Sequence, residues 1–387
     1  MNNFTIGVPR ERKFKEGRVG MTPAGVKEVI SCGAHMRVLI EKGAGTLAGF
    51  SDADYVGAGA CITEDTNNLY QAADLIVKVK EPTPEEYAFL AHLRHKTLFT
   101  YLHLAGVDVE LTRTLLRNEV TAIAYENVEA EEGGRRIFPL LVPMSRIAGT
   151  QSMSNALQRF AGVKNKVCVV IIGGGVVGES ALIEALEKKV ASITIFELNI
   201  ARILDLNGRY ANTKARKTKV SVLPMQSMKE GDGLSRLMQA DIVISGVMNP
   251  GGAEAPKVLT EKDFAVMKQG ALVVDVAIDQ GGSTEWSRPT HHGETFEQDG
   301  LVFSCIANIP GSVPHEATLA LTGATLPYVK LFAYYAQHYP HSREWWLLKD
   351  HPDLRCGLQT WKGLLTNSAV SSKHAIFSDY KPLDTLF

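Results

Sequence analysis

The stretch from Val167 to Gly178 reads Val-Cys-Val-Val-Ile-Ile-Gly-Gly-Gly-Val-Val-Gly. Its first six residues are apolar and mostly β-branched, the pattern of a strand buried on both faces. Gly173, Gly175 and Gly178 then follow in G-x-G-x-x-G spacing. Gly173 suits a tight turn, Gly175 lets a pyrophosphate approach the backbone, and Gly178 lets a helix lie close to the strand. Val177, Ala181, Leu182 and Leu186 supply that helix's apolar face, and Lys188 and Lys189 suit its C-terminus. A second strand, Ile193 to Phe196, ends at Glu197, about twenty residues beyond the last glycine, where a carboxylate meets an adenosine ribose. Glycine-rich turns are common by themselves. Strand, turn, helix, strand and acid in this order specify dinucleotide binding. Glu197 favours NAD over NADP, because a carboxylate repels a 2′-phosphate, although Arg202 follows five residues later.

Outward from this centre the chain alternates strands and helices. Phe4 to Val8 is a strand, Pro9 to Met21 a charged loop, and Thr22-Pro23 a helix start with Val26, Val29 and Ile30 on its face and Gly33 at its end. Met36 to Ile40, Asp74 to Val79, Thr97 to Leu102 and Thr121 to Tyr125 read as strands, with a helix over Asp108 to Glu119. Asn127 to Arg136, with Gly133-Gly134, reads as a loop near a domain boundary. After the glycine motif come strands Lys219 to Leu223, Asp241 to Val247, Ala271 to Ile278 and Leu301 to Ile306, and a short helix over Thr260 to Lys268 closed by Gly270. Ala317 to Ala336 is one long apolar helix containing Pro327, which returns the chain to the first domain. The fold class is therefore α/β, with two Rossmann-like doubly wound domains. Residues 1–138 with 316–387 form a substrate domain, into which a dinucleotide-binding domain, 139–315, is inserted.

The 387 residues suffice for two cores, and 45% hydrophobic with 21% charged residues is an ordinary soluble balance. A net charge of −1 gives no reason to expect nucleic acid or an anionic membrane as partner. No apolar run has membrane-spanning length and no signal-peptide core opens the chain. Five cysteines without C-x-x-C spacing read as reduced core residues of a cytoplasmic protein.

Ligands of open α/β sheets bind beyond the carboxyl ends of the strands. That rule gathers Lys78 and Lys80, His103, Asp279 and Asn308. Each has a plainer reading. Strand alternation puts both lysines on one face, so it does not choose between them, and either could be a solvated edge residue. His103 could be a hydrogen-bonded core histidine, and Asp279 could serve its Asp-Gln-Gly-Gly turn. Asp275, mid-strand, reads as structural. Arg10, Arg12, Lys13, Lys15 and Arg18 in the first loop read mostly as solvated surface. His291-His292 and His338, His341 and His351 lack the spacing and companion ligands of a metal site, so no metal is expected.

Several strings resemble the alanine dehydrogenases. They are Arg18-Val19 with Thr22 to Val26, Lys78-Val79-Lys80-Glu81-Pro82, Leu98 to Leu104, residues 250–258, Val274 to Gly282, Ala307 to Pro310 and Ala324 to Tyr328. They span nearly the whole chain. The related NAD-binding components of proton-translocating transhydrogenases carry Trp and Asn where this chain has His103 and Asp279. The resemblance implies reversible oxidative deamination of L-alanine to pyruvate and ammonia, with NAD as cofactor, in a homo-oligomer, a hexamer. It implies that Arg18 and Lys80 bind substrate, that His103 is the general acid/base, and that Asp279 assists beside the nicotinamide. It also implies that Ser145, Gly173, Gly175, Val177, Gly178, Glu197, Arg202, Val247 and Asn308 contact NAD. The chain departs from the family at Arg146, where an acid is usual, at Gly323, where Asn is usual, and in a shortened Gly149-to-Val167 connection that lacks an additional glycine-rich segment. Gln151-Ser152-Met153 is closer to the transhydrogenase loop. The alternatives are a related dehydrogenase of another amino or keto acid, opine-type or lysine-pathway, and a transhydrogenase-like NAD-binding subunit.

Overall fold

The computed structural model describes residues 3–211, 217–248, 254–374 and 380–387. It has two compact units, residues 1–144 with 311–387, and residues 145–310. The first is built on β1 (Phe4–Val8), β2 (Met36–Glu41), β3 (Cys61–Thr63), β4 (Leu75–Val77), β5 (Thr97–Thr100) and β6 (Thr121–Ala124). These six pair in parallel. A small hairpin, β7 (Ala130–Glu132) and β8 (Arg135–Ile137), follows. The second unit contains β9 (Cys168–Ile172), β10 (Ser192–Glu197), β11 (Lys219–Pro224), β12 (Ile242–Ser245), β13 (Leu272–Asp275), β14 (Phe296–Gln298) and β15 (Leu301–Ser304). The chain then returns to the first unit, where β16 (Leu358–Trp361) pairs antiparallel with β6 and with β17 (Leu364–Leu365).

Strand order decides where each unit can bind a ligand. The first sheet runs β17-β16-β6-β5-β4-β1-β2-β3 and the second β11-β10-β9-β12-β13-β15-β14. In the first, the chain builds outward from β1 to β3 and then crosses to β4 on the other side. In the second it builds from β9 to β11 and crosses to β12. The loops after β1 and β4, and those after β9 and β12, therefore diverge and leave a crevice at each switch point.

Burial follows the alternation of side chains along a strand. Val169 and Ile171 of β9 join one apolar cluster with Ile193, Ile195, Ile244 and Val274, while Val170 and Ile172 join another with Phe196, Val243, Val273 and Phe303. β9 is thus buried on both faces, as its unbroken apolar run requires. In the first unit, Leu98 and Ala122 pack on one face with Leu111 and Leu115 of the helix Val109–Arg117. Phe99 faces the other way onto Tyr125, Tyr328 and Phe332. The last two belong to the helix Pro314–His338, which contains Pro327.

Local details differ from the sequence reading in ways that have physical causes. Thr22 caps the helix Pro23–Ile30, but the C-cap is Ser31 rather than Gly33. The helix expected over Thr260 to Lys268 keeps its capping box from Thr260 and Asp263 but spans only Glu261–Phe264. The segment expected as a loop at 127–136 is the hairpin β7–β8. Gly133 and Gly134 both adopt positive φ at its tip, the geometry of a two-residue hairpin turn. Of the five cysteines only Cys305 is buried, and Cys61 and Cys356 are exposed, so the core reading fails for most of them. None is in a disulfide. No helix among the described residues is long and apolar enough to cross a membrane.

Candidate active site

In the first unit the loop after β1 folds across the end of β4. Gly20 lies so close that a Cβ there would stand 2.4 Å from the Val77 carbonyl oxygen. Glu11 of this loop accepts the backbone N–H groups of Val79 (2.7 Å) and Lys80 (3.2 Å), so the two loops of the crevice are tied together. Burial, with Glu16 and Glu86 nearby, pushes the Glu11 carboxyl up to about 6 against the pull of Lys78.

This packing separates the two lysines that strand alternation leaves equivalent. β4 ends at Val77, so neither is a strand residue and neither is a solvated edge lysine. Lys78 is wholly buried in an ion pair with Glu86 at 2.7 Å, with Glu11 at 3.5 Å. Burial opposes its charge, but Glu11 and Glu86 raise its pKa above that of an ordinary lysine. Lys78 is structural. Lys80 is also buried, beside Glu81.

The basic loop residues are mostly paired rather than solvated. Arg12 meets Glu41 and Lys13 meets Glu81, while Arg10 and Lys15 are exposed. Arg18 is buried, and Glu16 takes one edge of its guanidinium, accepting from Nε at 2.7 Å and from an Nη at 2.6 Å. Its other Nη lies 3.0 Å from the Met144 sulfur. The fork is held in one plane by a fixed carboxylate.

His103 follows β5. Its ring stacks on Tyr101, with centroids 5.7 Å apart, and its Nδ1 lies 3.6 Å from Oε2 of Glu81. Burial works against ionisation of Glu81, but His103, Lys80 and Lys13 outweigh it and hold the carboxyl well below the usual carboxylate range. Burial also raises the Tyr101 phenol, which donates to the Leu140 carbonyl. Arg18, Lys80 and His103 thus all lie at the carboxyl end of the first sheet, among Glu11, Glu16, Glu81 and Glu126. Sequence reasoning missed these four acids, although Glu11, Glu16 and Glu81 stand in the same charged loops.

In the second unit Gly173 turns with φ of 91° and packs on Val247, which follows β12. A Cβ on Gly178 would lie 1.9 Å from the Gly173 carbonyl oxygen, whereas one on Gly175 would meet nothing within 4 Å. Gly175 caps the helix Val176–Glu187, whose first turn carries the buried Val177. Open space over a bare backbone at a helix N-terminus fits a pyrophosphate. Glu197 Oε2 accepts from the Gly174 N–H at 2.6 Å and Oε1 from those of Leu198 and Asn199 at 2.8 Å. Two carboxylate oxygens have about four acceptor directions between them, so capacity remains for a ribose. Arg202 donates to the Gly174 carbonyl and to Asp205 and Glu179.

The remaining expected cofactor residues lie around this loop or at neighbouring strand ends. Ser145 is buried one turn before Gly149 in the helix Val142–Gln158, and a Cβ on Gly149 would stand 2.2 Å from the Val177 carbonyl oxygen. Asn308 sits beyond β15 with φ of 58°. Asp279 is exposed in the turn Ile278–Gln280 beyond β13, and Asp275 is buried, bonded to Ser283 and Ser287. Part of the 250–258 string, residues 250–253, lies outside the described residues. No three His, Cys, Asp or Glu side chains gather as metal ligands among the described residues.

Fold and crevices define a two-unit α/β protein with a Rossmann-like second unit. Residues 7–148 match the family described as Alanine dehydrogenase/PNT, N-terminal domain, and residues 148–368 match its C-terminal domain. The chain belongs to the alanine dehydrogenase/PNT family. It is 40% identical over 381 residues to the alanine dehydrogenase of Halomonas elongata, covering 95% of each chain. A solved L-alanine dehydrogenase aligns with a TM-score of 0.82 at 35% identity, over 96% of this chain and 99% of that one. A transhydrogenase from Sinorhizobium meliloti aligns at 0.74 with 20% identity, over 94% of this chain and 99% of that one, and shares the fold.

Proposed function

We infer that the protein catalyses the NAD-dependent, reversible oxidative deamination of L-alanine to pyruvate and ammonia. The supporting observation is the set Arg18, Lys80 and His103 at the carboxyl end of the first sheet, with Glu16 against Arg18 and Glu81 against His103. Residues 1–138 and 316–387 serve the substrate, and 139–315 the cofactor. Arg18 binds the substrate carboxylate in its planar fork, and Lys80 donates to the carboxylate or keto oxygen. Bound NAD supplies the hydride acceptor. Oxidation at Cα leaves an imine to which water adds. His103 takes a proton from that water as it adds, returns it to nitrogen, and accepts the remaining hydroxyl proton as the C–N bond breaks, the carbonyl forms and ammonia leaves. Glu81 orients the imidazole, and Asp279 assists the proton transfers.

Ser145, Gly173, Gly175, Val177, Gly178, Glu197, Arg202, Val247 and Asn308 hold NAD. The pyrophosphate lies over Gly175, and the ribose hydroxyls donate to Glu197. The protein works as a cytoplasmic homo-oligomer, a hexamer, on the strength of the family resemblance alone; sedimentation velocity tests the subunit count. The activity test is NADH consumption against a panel of 2-keto acids. Turnover with pyruvate and ammonium together, and with neither alone, supports the reading. Turnover only with a different keto acid or a second amino acid moves it to a related dehydrogenase. NADH binding without any turnover overturns it in favour of a cofactor-binding subunit.

A further inference from the structure

We propose that Glu126 is a positioning residue for His103, clamping its backbone in the conformation that turns the imidazole toward Glu81. The proposal rests on the acid/base role of His103 argued above. β5 ends at Thr100, and His103 three residues later adopts φ of 47°, in the left-handed region that only a few per cent of non-glycine residues occupy. Such a backbone persists only where its surroundings over-determine it. Glu126 supplies the determination. It is buried in the turn Tyr125–Asn127 directly after β6, the strand beside β5. Its Oε1 accepts the His103 N–H at 2.6 Å, and its two oxygens lie 3.2 and 3.3 Å from the Leu102 nitrogen. On the other side the His103 carbonyl accepts from the Gly106 N–H at 2.7 Å, closing a turn that stops the strand.

Without the carboxylate the Leu102 and His103 N–H groups at this strand end would lose their acceptor. The chain would relax out of the left-handed region, and the imidazole would lose the backbone direction that sets its Nδ1 against Glu81. The same acid so satisfies two donors and sets the direction of a side chain one strand away.

The test compares Glu126→Ala, Glu126→Gln and His103→Ala in NADH-dependent amination of pyruvate, with NADH affinity measured separately by fluorescence. An amide oxygen still accepts the same N–H groups. Glu126→Ala is therefore expected to lower kcat by about tenfold to hundredfold and Glu126→Gln by no more than about threefold, both with NADH affinity unchanged. A Glu126→Ala enzyme with wild-type kcat overturns the clamp, and so does an equal loss in both Glu126 variants. Should Glu126→Ala not fold, Glu126→Gln decides: a loss beyond about tenfold overturns the proposal, and a smaller one upholds it. Turnover surviving in His103→Ala removes His103 from the chemistry and the clamp with it. Turnover lost there but intact in Glu126→Ala overturns the clamp alone.

Discussion

Glu81 stands between Lys13 and His103: its Oε1 lies 2.5 Å from Lys13 Nζ and its Oε2 lies 3.6 Å from His103 Nδ1. The Lys13 pair is partly exposed and holds the carboxylate in place. On the His103 side Oε2 is buried and has no hydrogen-bond partner among the described residues. Glu81→Gln keeps the shape and removes the charge, so kcat is expected to fall by about tenfold or more. An unchanged kcat would separate the Glu81–His103 contact from catalysis. Because the folded state holds Glu81 ionised, this group also stabilises the protein above its unfolded titration range. That contribution is lost as the pH falls through the depressed folded value.

Lys78 and Lys80 should fail in different ways. Lys78→Met leaves Glu86 and Glu11 buried without their cation, an arrangement that costs about 3–5 kcal/mol of stability. Lys80→Met should leave the melting temperature near that of the parent while turnover collapses. Thermal unfolding and steady-state kinetics on both variants decide the assignment. A stable, inactive Lys78 variant beside an unstable, active Lys80 variant would reverse it.

That pair of lysines marks where sequence reading stops. The glycine loop is legible because its constraints are local: φ at Gly173 and the close approach at Gly178 depend on neighbours within a few residues. The strand-end positions of Lys78 and Lys80, His103 and Asp279 follow from alternation of strands and helices plus the switch-point rule, whereas Arg18 enters only through the family resemblance. The partners do not follow. Glu86 reaches Lys78 from a turn eight residues on, and Glu11 and Glu126 act on backbone N–H groups of other segments. Such side-chain-to-backbone contacts leave no periodicity to find. The hairpin at 130–137 is a different case, since Gly133-Gly134 is a favoured hairpin turn and the signal was present.

Glu11 makes stability fall with rising pH over a narrow window. Its folded value, about 6, lies above the ordinary 4.5, so its neutral form is preferred in the folded protein. The contribution is complete below the unfolded value and disappears as the pH climbs through 6. The shift corresponds to about 2 kcal/mol. Glu11→Gln, which stays neutral, should remove this dependence. Denaturant unfolding of parent and variant between pH 4.5 and 7 measures the difference, and parallel curves would refute the assignment.

Cofactor choice should resist a single substitution. Glu197 is the acid beside the glycine turn, and the natural anion receptor, Arg202, is already engaged by Glu179 and Asp205. Glu197→Ser is therefore expected to weaken NADH binding without gaining NADPH. Adding Glu179→Gln and Asp205→Asn frees the guanidinium for a 2′-phosphate, and only then should the KM for NADPH fall. NADPH use by Glu197→Ser alone would show that Arg202 is not restrained.

The second and third glycines of the motif, Gly175 and Gly178, separate folding from binding. A Cβ at Gly178 would collide with the Gly173 carbonyl oxygen at 1.9 Å, a backbone atom that cannot move without opening the turn. Gly178→Ala should therefore lower the melting temperature and abolish NADH binding together. A Cβ at Gly175 meets no protein atom within 4 Å, and the residue's φ of −67° suits alanine. Gly175→Ala should keep the parent's melting temperature yet lose NADH affinity, because the methyl group occupies the space a pyrophosphate needs. Calorimetry of unfolding and NADH titration by fluorescence read the two effects independently. Full NADH affinity in Gly175→Ala would place the phosphates elsewhere.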